Sequence, residues 1–570
     1  MPGLNRVDEY WVFVVPTGSR IRVRSLSGSI AGRAPLQITQ ALHRAVQLHP
    51  DRIAVRFGER RRTFVELLER VARLAGALQA LGMRSGDRVA MLSLNSDRYL
   101  EYQMAVPWGG GVLNPCNTRW SCAEIAYSLN DSGSTLLLVD DHFAHLADSL
   151  RHESPSVCAV IHCGDGPAPT AMHSYEALVS DAAPIADARC GGEDLLGIFY
   201  TGGTTGSPKG VMLSHANLFS CGLSTRAEGL AAPNGNYLHA APMFHLADMG
   251  CAMPHWLEGN SHSIIPSFNP EATIRCIERN RVSCALLVPT MIQMLVDHPA
   301  AKEVHDLTSL QTLIYGASPI AEAVLERAMT MLPGVEFIQA YGMTELSPVA
   351  TINPAWYHTP AARNYGKLRS AGRASYCTEV RIVDADGVEV PRGTVGEVVV
   401  RGPNVMQGYW NQPELTAQAI RDGWMHTGDG AWMDVDGFIF IADRLKDMIV
   451  SGGENVYSAE VENVLAQHPG VAACAVIGIP SDRWGESVHA VVVPRAGYDV
   501  RIEELIAYCK GLIAHYKCPR SVEFTAALPM SGAGKVLKMT LREPYWRGRE
   551  RGVALAAMCN PNPLGYQGVR

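Results

Sequence analysis

None of the 14 cysteines falls into a C-x-x-C pair, and no Cys/His group carries zinc-finger spacing. A small zinc domain is thereby excluded, and scattered thiols such as Cys221, Cys276 and Cys474 read as small core residues of a reducing compartment. No apolar run approaches the roughly 18–20 residues that a bilayer-spanning helix needs. Basic excess is also lacking: 49 Lys+Arg stand against 56 Asp+Glu, a net charge of −7, so no general attraction to nucleic acid is expected. The short apolar run at residues 10–15 follows Asp8 and Glu9 and precedes Arg20, Arg22 and Arg24, the wrong charge order for a secretory signal. The expected location is the cytoplasm. Internal repeats and low-complexity segments are absent.

What is present is an ordinary globular mixture. Hydrophobic residues make up 47% and charged residues 18% of 570, enough for a large core. That length amounts to about three or four domain-sized units. Residues 1 to about 35 read as an extension, either disordered or a product of start-site choice. Leu67, Leu68, Val71, Leu74, Leu78 and Leu81 recur at helical spacing and predict a helix over 63–82. Short apolar runs at 87–93, 135–139, 284–288, 312–315 and 335–339 predict buried strands between helices. This alternation argues for an α/β architecture with mostly parallel sheets covered on both faces. Near residue 443 the texture changes to a compact α+β unit. Its expected elements are a helix over 461–467, strands over 471–479 and 489–494, and a helix over 502–516. Residues 547–570 read as a loose tail.

Residues 200–210 read Y-T-G-G-T-T-G-S-P-K-G. Three glycines and three threonines within six residues make a loop whose backbone N–H groups can approach an anion, with hydroxyls and Lys209 as further donors. The chemistry suits a polyphosphate, although the spacing is not that of a Walker A loop. In Q-A-Y-G-M-T-E-L-S-P (339–348), Tyr341 offers a flat face to a heterocycle and Glu345 a hard oxygen suited to Mg2+. H-T-G-D (426–429) ends in a carboxylate able to accept from two ribose hydroxyls. D-R-L-K-D (443–447) leads into S-G-G-E-N (451–455), and Lys535 sits in P-M-S-G-A-G-K-V-L-K (529–538).

In order and spacing these motifs, with P-M-F-H-L (242–246) and Y-G-A-S-P (315–319), resemble the adenylate-forming superfamily of acyl-CoA synthetases, peptide-synthetase adenylation domains and beetle luciferases. The resemblance spans residues 37 to 546. Two positions depart from it: Gly202 where a serine is usual, and Ala533 where threonine is common. Neither removes a charge. The fold it implies is a large N-terminal adenylation domain (36–445) and a small mobile C-terminal domain (446–546).

The resemblance implies ATP, Mg2+ and CoA as partners of the reaction. It implies that Thr201, Gly202, Gly203, Thr204, Thr205, Gly206 and Lys209 hold the β and γ phosphates. Glu345 would bind Mg2+ and Thr344 lie near the α-phosphate. Tyr341, with Gly342, would stack on adenine, and Gly316, Ala317 and Ser318 would wall the other face. Asp429, helped by Arg444, would accept from the ribose. Lys535 would bridge the attacking carboxylate and the α-phosphate. Lys446 occupies the hinge, and Ser451, Gly452, Gly453 and Glu454 would come to the CoA channel.

The implied acyl pocket is lined by the segment around His245, including Phe244, Ala247 and Met249, and by Tyr315 and Met343. His245, where amino-acid-activating members place an aspartate, argues against an amino acid. Asp248 is turned away from the pocket if the segment alternates like a strand; otherwise it favours a polar substrate. The apolar lining suggests a fatty acid first and an aryl or alicyclic acid second. A ligase loading a carrier protein is the alternative to CoA transfer. A non-enzymatic descendant would be expected to have lost Lys535, Glu345 or Asp429, which are all here. Arg60, Arg61 and Arg62 offer either a weak peripheral membrane contact or a plain solvated surface.

Overall fold

The computed structural model describes residues 35–201, 208–299, 305–318, 320–444, 447–452, 454–531 and 534–547, with the backbone of three short strands ahead of them. Those strands, Arg6–Val7, Tyr10–Val14 and Arg20–Arg24, pair antiparallel in sequence, so the extension carries a ribbon of its own. The expected tail beyond 547 lies outside the described residues.

Two large sheets, of eight and nine strands, meet the expectation of mostly parallel pairing. In the first, Arg88–Leu92, Val112–Pro115, Leu136–Val139 and Ala159–His162 run parallel. Their largely apolar sequences follow from burial on both faces. Val89 and Met91 enter the central core, while Ala90 and Leu92 join Leu137 and Val139 in a separate one. In the second sheet Asn236–His239, Ser261–Ile264, Cys284–Leu286, Thr312–Gly316 and Glu336–Tyr341 are parallel. The two-residue period again sorts the side chains, Ile314 to the central core and Leu313 and Tyr315 to the core behind. Strand Cys284–Leu286 ends before the expected 288 because Pro289 opens the next helix.

The stripe from Leu67 to Leu78 forms helix Phe64–Ala80. A capping box starts it: the Glu66 amide donates to Thr63 Oγ1 at 3.3 Å, and the Thr63 amide donates to Glu66 Oε2 at 2.7 Å. Beside it Arg60 and Arg62 donate to buried Asp97 at 2.9 and 2.6 Å, so only Arg61 of the three arginines is fully exposed.

A third sheet is antiparallel, a layer the sequence patterns did not separate from its neighbours. It contains Gly396–Arg401, Trp424–Met433 and Ile439–Arg444. The C-terminal residues build a fourth sheet around Val471–Ser481 and Gly485–Pro494, with a core drawn from residues 449 to 522. Helix Ser458–Leu465 packs on it, and helix Ile502–Leu512 stops short of the expected 516. Gly511 weakens its last turn and Ile513 is extended. No described helix is long and apolar enough to cross a membrane.

Candidate active site

Strand Leu195–Thr201 pairs antiparallel with Lys209–Ser214, bringing Thr201 opposite Lys209 at the mouth of the Thr/Gly loop. Gly202, Gly203, Thr204, Thr205 and Gly206 lie outside the described residues. The Lys209 ammonium stands 5.5 Å from the centroid of the Tyr409 ring. Strand Gly408–Tyr409 extends the same sheet, with Tyr409 opposite Val211. The Tyr409 hydroxyl donates to Glu345 Oε1 at 2.8 Å. Thr344 and Glu345 begin a buried 3-10 turn whose Glu345 carbonyl accepts from the Met406 amide at 2.9 Å. Among the described residues no three His, Cys, Asp or Glu side chains cluster to hold a metal. A lone buried carboxylate beside a threonine suits a hard cation whose remaining ligands are phosphate and water oxygens.

Tyr341 ends the strand Glu336–Tyr341, and its hydroxyl donates to Asp429 Oδ2 at 2.8 Å. Asp429 and Arg444 are register partners on adjacent strands, with Nε 3.2 Å from Oδ1. The Asp429 charge holds the Arg444 guanidinium more firmly protonated. Gly316 pairs with Ala340 so closely that a Cβ would fall 2.0 Å from the Ala340 carbonyl oxygen. A Cβ on Gly342 would meet the Pro348 carbonyl oxygen at the same distance. Ala317 takes φ +67°, a left-handed conformation that costs a non-glycine residue about 1–3 kcal/mol. Gly316, Ala317, Tyr341 and Gly342 thus come together at the ends of two parallel strands, with Ser318 following.

His245 is the N-cap of helix Leu246–Glu258, where its Nδ1 accepts from the Ala247 amide at 3.2 Å. Burial, then the positive charges of Lys535 and Arg119, push its pKa down to about 4. Lys535 therefore lies within electrostatic reach of His245. Its hairpin is closed by the Ser531 amide donating to the Lys535 carbonyl at 2.7 Å and the Lys535 amide donating to Ser531 Oγ at 3.1 Å. Arg119, far back in the chain, donates to the Ser531 carbonyl at 2.8 Å. Gly534 comes so near Thr290 that a Cβ would sit 3.2 Å from its Oγ1.

Phe244 and Met249 are buried, and Ala247 and Met343 half-buried, around the central core. Tyr315 does not join them. Its strand alternation sends it to the opposite face, where its hydroxyl meets His358 Nε2 at 2.8 Å. Because His358 Nδ1 donates to the Pro354 carbonyl, Nε2 is the acceptor of that bond. The alternation expected around Asp248 is also corrected, because the segment is helical. Asp248 is turned away all the same: fully buried, it accepts from His239 Nδ1 at 2.6 Å.

Lys446 and Gly453 lie outside the described residues. Ser451 Oγ accepts from Arg520 at 2.9 Å, and the Gly452 amide donates to the Trp484 carbonyl at 2.8 Å. Glu454 is exposed on the adjoining strand.

Residues 42–410 match the family model described as AMP-binding enzyme, and residues 460–535 match its C-terminal domain. The chain belongs to the AMP-binding enzyme family. A feruloyl-CoA synthase of Amycolatopsis is 41% identical over 503 residues, covering 88% of this chain and 98% of the relative. A medium/long-chain-fatty-acid–CoA ligase of Mycobacterium tuberculosis is 34% identical over 548 residues, 94% of each. Among solved structures, an anthranilate CoA ligase in complex with anthranoyl-AMP matches with a TM-score of 0.83 and 25% identity, over 90% of this chain and 98% of that one.

In this AMP-binding enzyme two residues that the sequence reading missed stand at the site. Arg119 carries no local signal, since its partner is 412 residues away. Tyr409 sits in a G-Y-W string whose only hint is a glycine before two aromatics.

Proposed function

We propose that this enzyme is an ATP-dependent acid–CoA ligase. The observation that carries the reading is the Lys535 hairpin, held by Arg119 against the large unit beside His245. In the first step a carboxylate oxygen attacks the α-phosphorus of ATP, the bond to the β-phosphate breaks and pyrophosphate leaves. Lys535, a compact point charge, would neutralise the oxygens on both sides of that bond. Asp429, kept in place by Tyr341 and Arg444, would accept from the ribose hydroxyls. Thr201 and Lys209 would hold the outer phosphates, and Thr344 the region of the α-phosphate. Glu345 would hold Mg2+, which supplies charge neutralisation to the phosphates when bound.

In the second step the CoA thiol loses its proton and attacks the acyl carbon, and AMP leaves with the bridging oxygen. Trp484 backs the Ser451–Gly452 turn with the Arg483 and Arg520 guanidinium carbons 4.6 and 4.7 Å from its ring centroid. That pairing of a flat ring with positive charge suits the nucleotide end of CoA. A large unit of residues 36–445 and a small one of 446–546 turning at Lys446 would serve the two steps in sequence.

For the acid we infer an aromatic carboxylate. The likeness to a feruloyl-CoA synthase and an anthranilate CoA ligase supports it, and the apolar Phe244, Ala247, Met249 and Met343, which pack in or against one core, are compatible with it. A fatty acid, the choice the sequence favoured, is the second reading, supported by the mycobacterial relative. Pyrophosphate release would be followed with cinnamate-type, benzoate-type and graded fatty acids, each with and without CoA. Turnover with aryl acids and AMP plus thioester only with CoA is expected. Preference for a long-chain acid would overturn the aryl assignment, and adenylate that CoA never consumes would point to a carrier-protein acceptor.

A further inference from the structure

Tyr409 is a buried phenol to which the proposed mechanism gives no task. It is 7% exposed and meets two candidate phosphate-site groups, one through its hydroxyl and one through its ring. Its hydroxyl donates to Glu345 Oε1, and its ring lies under the Lys209 ammonium. The separation of 5.5 Å is within the roughly 6 Å over which a cation is drawn to an aromatic face.

The ring is held where it is by its backbone. Tyr409 pairs with Val211 on the strand that begins at Lys209, and the Trp410 amide donates to the Gly210 carbonyl at 2.7 Å. Its own amide donates to Thr416 Oγ1 at 2.9 Å. The same segment grips the turn that carries Glu345: the Met406 amide bonds the Glu345 carbonyl, and Asn404 Nδ2 donates to the carbonyls of Leu346 and Val349 at 3.0 Å. One stretch of seven residues, 404–410, therefore ties together two parts of the site that come from different sheets and lie more than a hundred residues apart in sequence.

We infer that Tyr409 is a positioning residue that sets the metal carboxylate through its hydroxyl and the phosphate lysine through its ring. The inference rests on the proposed adenylation site. With Oε1 engaged by the phenol, the Glu345 carboxylate is held in one orientation, which fixes where a cation bound to it sits relative to the phosphates. The ring holds the Lys209 charge at the mouth of the loop before nucleotide arrives, so less side-chain freedom is lost on binding.

Two substitutions separate the two contacts. Y409F removes only the hydroxyl, and the half-saturating Mg2+ concentration for pyrophosphate release is expected to rise about tenfold, with KM for ATP changing less than about twofold. Y409L removes the ring as well, and KM for ATP is expected to rise a further ~3- to 10-fold. Mn2+ binding to the enzyme–ATP complex, followed by electron paramagnetic resonance, reads the first effect without turnover. In an E345Q background Y409F should add nothing, because the group it acts through has lost its charge. Equal losses in Mg2+ and ATP dependence in Y409F, an unaltered Mn2+ signal, or full additivity with E345Q would each overturn the inference. Wild-type protein that fails to bind Mn2+–ATP at all would instead overturn the adenylation site on which it rests. A thermal unfolding midpoint for each variant identifies any that is merely misfolded, and Y409W, which keeps a ring without the phenol, should then restore ATP affinity but not Mg2+ dependence.

Discussion

Arg119 Nη1 lies 2.8 Å from the carbonyl oxygen of Ser531, a hydrogen bond between residues 412 apart that joins the body of the enzyme to the hairpin of Lys535. A second contact, Arg495 to Asp297 at 3.7 Å, joins the same two parts. Both hold the small unit in the position where Lys535 is near His245. Replacing Arg119 by alanine should therefore slow adenylation by about tenfold, the loss expected of one hydrogen bond from a charged donor. Thioester formation from added acyl-adenylate should be unaffected. Single-turnover measurements of the two half-reactions would separate them, and equal losses in both would contradict the assignment.

The row Tyr341–Asp429–Arg444 makes a second prediction. Asp429→Ala removes the acceptor of the Tyr341 hydroxyl and the carboxylate paired with Arg444. KM for ATP should rise about 10- to 100-fold, while Tyr341→Phe, which keeps the ring, should cost only severalfold. Titration calorimetry with ATP would check the order of the two variants.

Gly316 tests the packing of the nucleotide wall. A methyl group there meets a backbone oxygen at 2.0 Å, which no rotamer change can relieve. Gly316→Ala should force the strand Thr312–Gly316 away from Glu336–Tyr341 and destabilise the protein by about 1–3 kcal/mol, with loss of adenylation. Denaturant midpoints and pyrophosphate release would both register it.

Acid sensitivity follows from buried neutral histidines. Burial pushes His255 down to about 3 and His215 and His358 down to about 4. In the unfolded chain all three would titrate near 6.5, so below that pH the unfolded state binds more protons and stability falls. The loss should grow by about 1.4 kcal/mol per histidine for each pH unit, until the native side chains themselves protonate near pH 3–4. Thermal midpoints measured from pH 7 to pH 5 should drop steadily. A flat profile over that window would show that these rings are solvated.

The α/β architecture, the core strands and the candidate site residues could be read from the sequence because each has a local signal. Runs such as residues 89–92 are apolar throughout since both faces are covered, and the stripe from Leu67 to Leu78 can bury one face only as a helix. Thr201, Lys209, Tyr341, Glu345, Asp429 and Lys535 could be picked out because hydroxyls, ammonium groups and carboxylates on small-residue loops have few structural uses. Tyr315 and Asp248 were harder, since a side chain's face depends on whether its segment is strand or helix and on which core lies behind it.

Taken alone, the sequence determined the elements, the family and the charged groups, all properties carried by neighbouring residues. Only the tertiary structure decided which of those groups meet. Tyr409 reaches Glu345 because two sheets share one segment, and Arg119 reaches Ser531 because the small unit is turned towards the large one. Such contacts depend on chain-distant backbone placement, and no local pattern of residues encodes that.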